Sequence, residues 1–532
     1  MRALLLTPLA ALVCCARPMP AASVDTGTRD GSETGSGADS TPSRDSNATS
    51  DSSTAQGSFP YATSYTTVQT YCSSGSGTAT TGVAARITLP TEPRFDTAPV
   101  AVGLVGGLTS GSFAGADAGE VQKIAQALAA QGFVVVEFEH PGATDRGAMD
   151  GATHASCGVY DYRGPNSRRF LADILKFATG GVTDTAGLSL ADLAGVAVSS
   201  ANVGLVGFSN GGNLAIETLS RDPVGVGPAR IPRIAFYTGF ENPVNDMTLL
   251  STSASGPGGV GQNTAYTPGS CYTSRCAVDY SELKQSSTDS TTESSESTAT
   301  DLSFNTVYFD NNANGVFDGD PSKDPSKTYV GDTGVLNTDV YAHAAYGLLA
   351  GTPTLFFDEG TADQIDANRS AFSFTVPVAT AAQSAAYFKD RLAGMSPTGA
   401  PTNYQQAVLH QPGIRIIVSA SVVDHGNMAT DHDHVGLQYD GWAAANPSFI
   451  QLNPSKAYLS AATGCASAQF MDNAPAGPYD TTLLEPEGSS VTDCPALANL
   501  DMMDQVAAVM ELADRTQDDD DASLVGATQT LH

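Results

Sequence analysis

The chain of 532 residues carries 56 Asp and Glu against 25 Lys and Arg, giving a formal net charge of −31 at pH 7 and a sequence pI near 4.3. So acidic a surface repels phosphate backbones and anionic bilayers, which excludes nucleic acid as an expected partner. Apolar residues make up 41% and charged residues 15%, enough for a large core, and because much of the length is low-complexity, fewer domains are expected than length alone suggests.

Met1-Arg2 followed by the apolar run Ala3 to Val13 resembles a short export signal, too short to span a bilayer as a helix. Two readings stay open: a lipoprotein signal in which Cys15 or Cys14 becomes the lipidated first residue, or a plain signal, residues 1–22, cleaved near Ala22. Residues 23–58 are almost all Ser, Thr, Asp, Gly and Ala, cannot bury enough apolar surface to fold, and read as a disordered linker. The protein is therefore expected to be secreted or held in the cell envelope as an outer-membrane lipoprotein, with membrane attachment through an N-terminal lipid under the first reading. Beyond the leader lie Cys72, Cys157, Cys271, Cys276, Cys465 and Cys494, an even number without a C-x-x-C pair, which suits disulfides better than a metal site. Cys271 with Cys276 and Cys465 with Cys494 are the candidate pairs that spacing suggests.

From Tyr61 onward strand and helix signals alternate, as in a mostly parallel sheet flanked by helices. Pro99 to Val105 reads as a buried strand, followed by the glycine-rich loop Gly106 to Gly111 and an amphipathic helix over Val121 to Ala130. Phe133 to Glu139 is the next strand, and Arg168 to Ala178 a helix with Phe170, Leu171, Ile174, Leu175 and Phe177 on one face. Val203 to Val206 then leads into Gly207-Phe208-Ser209-Asn210-Gly211, a G-x-S-x-G followed by helix-forming residues. Strand, sharp turn and helix in that order make a nucleophile elbow, with Ser209 at its apex and glycines leaving room for strand and helix to approach.

Further strands are expected over Ile234 to Thr238, Thr354 to Phe357 and Ile414 to Ser419. Residues 241–350 read as a lid insertion over the carboxyl edge of the sheet, within a domain spanning residues 59–470. Residues 471–532 read as an irregular extension, apart from a helix over Met502 to Ala513, ending in the acidic run Asp518 to Asp521.

The succession GLVGGLTSG, QGFVVVEFEHPG, RRFLADILKF, GFSNGG and TLFFDEGTADQ resembles the α/β-hydrolase superfamily, in particular its dienelactone-hydrolase-like and polyester-hydrolase-like serine esterases, over roughly residues 95–440. The resemblance implies an α/β-hydrolase fold and a triad in the chain order Ser, acid, His. It puts the acid in the loop after Thr354 to Phe357, at Asp363, with Asp358 and Asp366 as alternatives. For the base it leaves His425, with His434 second and His432 as a third candidate. The oxyanion hole would be the backbone N–H groups of Asn210 and of Leu108, with Gly107 as the neighbour of the latter. The implied activity is hydrolysis of a small-molecule or polymeric carboxylic ester through an acyl-enzyme. A secreted serine peptidase on the same fold, or a calcium-braced binding module without turnover, are the competing readings.

Within the insertion, Asp310, Asn312, Asn314, Asp318 and Asp320 space oxygen ligands as a calcium loop does, with Gly315 at the sixth position. The twelfth position is Pro321 where an EF-hand has Glu. A structural Ca2+ bracing the insertion is the expectation; no cofactor is expected for catalysis.

Overall fold

The structure is a computed structural model that describes residues 61–70, 72, 82–104, 118–145, 152–227, 230–245, 265–267, 270–272, 276–294, 301–311, 313, 315, 317, 339–394, 401–419, 433–463 and 500–529. All of them belong to one compact unit, Ala55–His532. The leader and linker, the loop with Gly107 and Leu108, His425, His432, Asn312, Asn314, Asp318, Asp320, Cys465 and Cys494 lie outside the described residues.

The chain enters through β1 (Tyr61–Gln69), β2 (Gly82–Pro90) and β3 (Ala98–Leu104), crosses by α1 (Ala118–Ala129) to β4 (Val134–Phe138), and makes the short hairpin β5 (Thr144–Asp145) and β6 (His154–Ala155). Helices α2 (Pro165–Ala178) and α3 (Leu190–Ala194) lead to β7 (Val198–Phe208), α4 (Asn210–Arg221) and β8 (Phe236–Phe240). A long excursion follows: β9 (Leu283–Ser294), β10 (Asp301–Phe309), β11 (Val340–Tyr341), β12 (Ala345–Leu349), β13 (Thr352–Phe356), α5 (Glu359–Ala367), α6 (Ala381–Phe388) and α7 (Asn403–His410). The chain then returns as β14 (Arg415–Ser419), α8 (Asp433–Ala445), β15 (Phe449–Leu452), α9 (Lys456–Thr463) and α10 (Leu500–Gln529).

Eight strands form one sheet in the order β1-β2-β4-β3-β7-β8-β14-β15, parallel from β4 to β15 and antiparallel at β1 and β2. A parallel sheet with crossover helices on both faces must bury both sides of each strand, and alternate residues sort accordingly. Val100, Val102, Val134, Val136, Leu205, Ile416 and Val418 join the core beneath α2, α4 and α8. Ala101, Val135, Val206 and Ile417 join the core beneath α1 and α10. Helix α10 places Val506, Val509, Met510, Leu512 and Ala513 in that second core. The segment expected to be an irregular extension thus supplies, in its described part, a 30-residue helix that covers the sheet. No helix among the described residues is long and apolar enough to cross a membrane.

Two expectations change. The run Thr354 to Phe357 does form a strand, β13, but it pairs antiparallel with β12 alone and stands outside the main sheet. Its composition is that of a sheet strand because both its faces are covered: Phe356 packs with Tyr162, Tyr387 and Phe388, while Leu355 and Phe357 pack with Phe304, Val307 and Phe309. The strand beside β8 is β14 instead, and β15 is a further edge strand. The excursion from the sheet consequently runs from Glu241 to Ile414 rather than ending near residue 350. Cys271–Cys276 is a disulfide as spacing suggested, and Cys72–Cys157 is a second.

Candidate active site

Sequence and backbone agree at the elbow. Ser209 follows the last residue of β7 at φ 50° and ψ −128°, and α4 starts at the next residue. An L-residue rarely adopts this conformation, and it costs on the order of 1–3 kcal/mol unless its surroundings enforce it. Enforcement begins with close approach: a Cβ on Gly207 would lie 2.6 Å from the Cα of Gly212, and a Cβ on Gly212 would overlap the carboxamide of Asn242. The glycine that lets the helix close on the strand is therefore Gly212, one position after the Gly211 of the motif. The Ser209 N–H donates to Phe240 O at 2.9 Å, which ties the turn to the end of β8.

Asn242, fully buried one residue beyond Glu241, completes the frame. Its Nδ2 donates toward Gly207 O at 3.0 Å, Phe240 O at 3.0 Å and Ser209 O at 2.6 Å. Its Oδ1 accepts from Tyr237 Oη and from Gln438 Nε2, each at 2.9 Å. Burial holds the Tyr237 phenol well above its usual pKa, so it stays a donor. Gln438 lies on α8, and His434, buried at 1% exposure, sits four residues earlier on the same helical face. Helix α8 leaves the carboxyl side of β14, whose Ser419 O accepts the Glu241 N–H at 3.0 Å. The first turn of α8 and the elbow therefore share one edge of the sheet.

The other histidines after the elbow are placed differently. His410 ends α7, with its Nδ1 3.2 Å from Leu219 O near the far end of α4. His343, between β11 and β12, is buried, and desolvation lowers its pKa to about 4. Among the carboxylates, Asp363 faces solvent on α5, and Asp366 pairs with Arg369 on the surface. Asp358 is buried as the cap of α5: Oδ1 accepts from Gly360 N at 2.9 Å, Thr361 N at 3.0 Å and Tyr280 Oη at 2.8 Å. Burial pushes its carboxyl pKa up against the pull of these donors.

Asn210 begins α4, so its N–H belongs to the first turn, whose donors find no acceptor within the helix. Across the same edge runs a series of rings: His140 to Tyr160 at 5.7 Å, Tyr160 to Tyr162 at 6.4 Å, Tyr162 to Tyr387 at 6.4 Å and Tyr387 stacked on Phe356 at 3.9 Å. Asn242, Gln438 and Tyr237 escaped sequence reasoning. The only signal for Asn242 was its position two residues after a buried strand.

This strand order, with a strained serine between a central parallel strand and a helix N-terminus, is the α/β-hydrolase fold. No family model matches the chain, and no curated protein matches it. Partial likenesses exist among solved structures. Esterase LipW from Mycobacterium marinum is 17% identical over 35% of this chain and 45% of that one, with a TM-score of 0.23. A hyperthermophilic esterase from the archaeon Pyrobaculum calidifontis is 19% identical over 35% and 46%, with a TM-score of 0.22. Esterase B from Lactobacillus rhamnosis, inhibited by a phosphonate in another of its structures, is 18% identical over 37% and 54%, with a TM-score of 0.24. The chain thus spans about half the length of these proteins. The strand order and the strained serine define the fold without them.

Proposed function

We propose that the protein is a serine hydrolase that cleaves carboxylic esters, with Ser209 as nucleophile. The observation that carries this reading is the backbone of Ser209, a non-glycine residue at φ 50° between β7 and α4; strain of this kind collects where function uses it. His434 is the base, supported by its place one turn before Gln438 on the helix that meets the elbow. The acid is Asp424. It lies five residues beyond Ser419, where β14 ends beside β8, and ligands in open α/β sheets bind outside the carboxyl ends of the strands. Asp363 faces solvent, and Asp358 is accounted for as the cap of α5.

In the reaction, the Ser209 hydroxyl passes its proton to His434 as Oγ bonds to the ester carbonyl carbon and the carbonyl electron pair moves onto oxygen. That oxyanion is held by the N–H of Asn210 and by the N–H of Leu108. Its collapse breaks the bond to the alkoxide, which takes the proton from the imidazolium, and water repeats the sequence to free the acid.

Hydrolysis of short-chain and long-chain p-nitrophenyl esters tests this, with Ser209→Ala, His434→Ala and His425→Ala measured separately. Loss on the order of 10³-fold or more is expected for the first two. A folded wild type that neither turns over esters nor reacts with a fluorophosphonate would sink the nucleophile. Activity lost in His425→Ala and kept in His434→Ala would move the base.

A structural Ca2+ held by Asp310, Asn312, Asn314, Asp318 and Asp320 belongs to the same reading. Its support is the donor set and the fold of the loop: Asp310 is buried, and its Oδ2 accepts the Gly315 N–H at 2.9 Å, with Ala313 and Gly315 at φ 54° and 74°. The ion would brace the excursion. Saturating calcium is then expected to raise Tm, by about 3 kcal/mol of stability at a hundred times Kd, and Asp310→Asn to abolish the rise; an unchanged Tm in wild type would remove the ion. Export through residues 1–22 completes the proposal, and the mass of the mature N-terminus distinguishes cleavage near Ala22 from a lipidated Cys15.

A further inference from the structure

We propose that Asn242 is a positioning residue of the hydrolase, which holds Ser209 in its strained conformation and, through Gln438, fixes the helix carrying the base to the elbow. The second half rests on reading His434 as the base; the first half stands without it.

The wiring of the carboxamide has one sense. Gly207 and Phe240 lie at the carboxyl ends of two adjacent parallel strands, β7 and β8, and the Phe240 carbonyl also accepts the Ser209 N–H at 2.9 Å. The carbonyl of Ser209 joins them because φ 50° turns it toward the same point. Nδ2 donates toward all three oxygens at 3.0, 3.0 and 2.6 Å, adding to the Ser209 N–H on Phe240 O and the Gly212 N–H on Ser209 O. The opposite end of the side chain must accept, and Tyr237 Oη and Gln438 Nε2 both donate to Oδ1 at 2.9 Å. Gln438 Nε2 also lies 3.2 Å from Tyr237 Oη, so the three side chains form one closed, buried network. Flipping the amide would set Oδ1 against three carbonyls and Nδ2 against two donors. The Cβ-free face of Gly212 packs on the carboxamide, which leaves no room for a longer side chain.

Chemistry follows from this geometry. The strained serine persists only while its surroundings enforce it; Asn242 is the side-chain donor on its carbonyl, beside the Gly212 N–H, and the distance from Oγ to the base depends on how α8 seats against Asn242. A misplacement of about 1 Å costs on the order of 100-fold in such a step. Gln438 touches neither substrate nor reacting atoms in this scheme and acts through Asn242.

The test uses the full domain, with folding checked by near-ultraviolet circular dichroism. Asn242→Asp keeps Oδ1 and replaces the donor by a second oxygen; Asn242→Leu removes both. Each is expected to lower kcat and the rate of fluorophosphonate labelling by about 100-fold with KM within about threefold. Gln438→Leu is expected to lower kcat about tenfold and to shift the acidic limb of kcat/KM, because the base changes surroundings, a shift that lost stability alone would not produce. In the Asn242→Leu background Gln438→Leu is expected to add nothing. Folded Asn242 variants with wild-type kcat and labelling would overturn the proposal. Losses that simply multiply in the double variant would separate Gln438 from Asn242 and overturn its second half. Full activity in His434→Ala would instead overturn the base, and the labelling rate of the Asn242 variants would still decide the elbow. Should Asn242→Leu not fold, Asn242→Ala removes donor and acceptor without adding bulk, and wild-type labelling in that variant would overturn the proposal.

Discussion

β7 and β13 both end in buried apolar residues and are each followed by a turn and a helix, yet one is a central strand leading into the strained Ser209 and the other a hairpin strand off the sheet. The difference lies in what completes them. At β7 the turn is built from neighbours in sequence: Gly207, Ser209, Gly212 and the first turn of α4. At β13 the seat is set by distant partners, since Phe356 stacks on Tyr387 and Phe357 meets Phe304 edge-on. Local chemistry identifies an elbow, whereas a strand's neighbours in a sheet are a property of the whole chain.

The largest expected effect tests whether chemistry follows the sheet or the motif. Asp424→Asn, five residues after β14 in sequence, is expected to lower kcat by on the order of 10⁴-fold. Asp363→Asn, exposed on α5, is expected to stay within about twofold. Asp358→Asn should lower Tm rather than kcat, since it caps α5 and anchors Tyr280; loss of a cap costs about 1 kcal/mol. An inactive Asp363→Asn with active Asp424→Asn would mean that the G-x-x-D motif outweighs the strand order.

A smaller effect tests how local the elbow is. Gly212→Ala would drive a methyl group into Asn242, with a cost of about 1–3 kcal/mol and roughly 100-fold in activity. If the overlap is the cause, Asn242→Ala added to Gly212→Ala should recover part of the lost stability. A second substitution that only worsens the first would show that α4 itself, rather than its neighbour from β8, sets the turn.

Much of the fold was legible for the same reason that the elbow was. The largely apolar run at Val134 to Phe138 and the one-sided helix Phe170 to Phe177 are short-range patterns, and both stand in the sheet and its cover. The long α10 was legible only in its apolar part. Its packing on Ala101, Val206 and Phe236 joins residues roughly 270 to 410 apart in sequence, beyond the reach of any window. Ser209 was legible because the elbow is a local geometric necessity. Asn242 and Gln438 were not: a buried amide between two strand ends has no periodicity, and its role appears only when β8 and α8 meet. The exposure of Asp363 on α5 was not legible, because a G-x-x-D string is the same whether its strand is central or peripheral.

The least effect on catalysis, and a direct probe of the joint between the two regions, is expected at Glu217. This carboxylate lies on the elbow helix, fully buried, and meets Arg221 Nε at 2.6 Å and Asn403 Nδ2 at 2.8 Å. Arg221 in turn reaches Lys389 O at 3.0 Å and Asp390 Oδ1 at 2.9 Å, so α4 is tied to the returning end of the excursion. Burial outweighs the arginines and pushes the Glu217 pKa from 4.5 up to about 7. Raised pKa means that the folded state binds this proton more tightly than the unfolded chain. The stability it contributes is therefore complete below pH 4.5 and is lost as pH rises through 7, an amount of at most about 3 kcal/mol. Glu217→Gln, which keeps shape without charge, should flatten that fall when urea midpoints are compared from pH 4.5 to 8, while kcat changes little. Curves that run parallel in the two proteins would mean that Arg221 keeps the carboxylate charged throughout, and that the joint between elbow and excursion is an ion pair at every pH rather than a proton-sensitive contact.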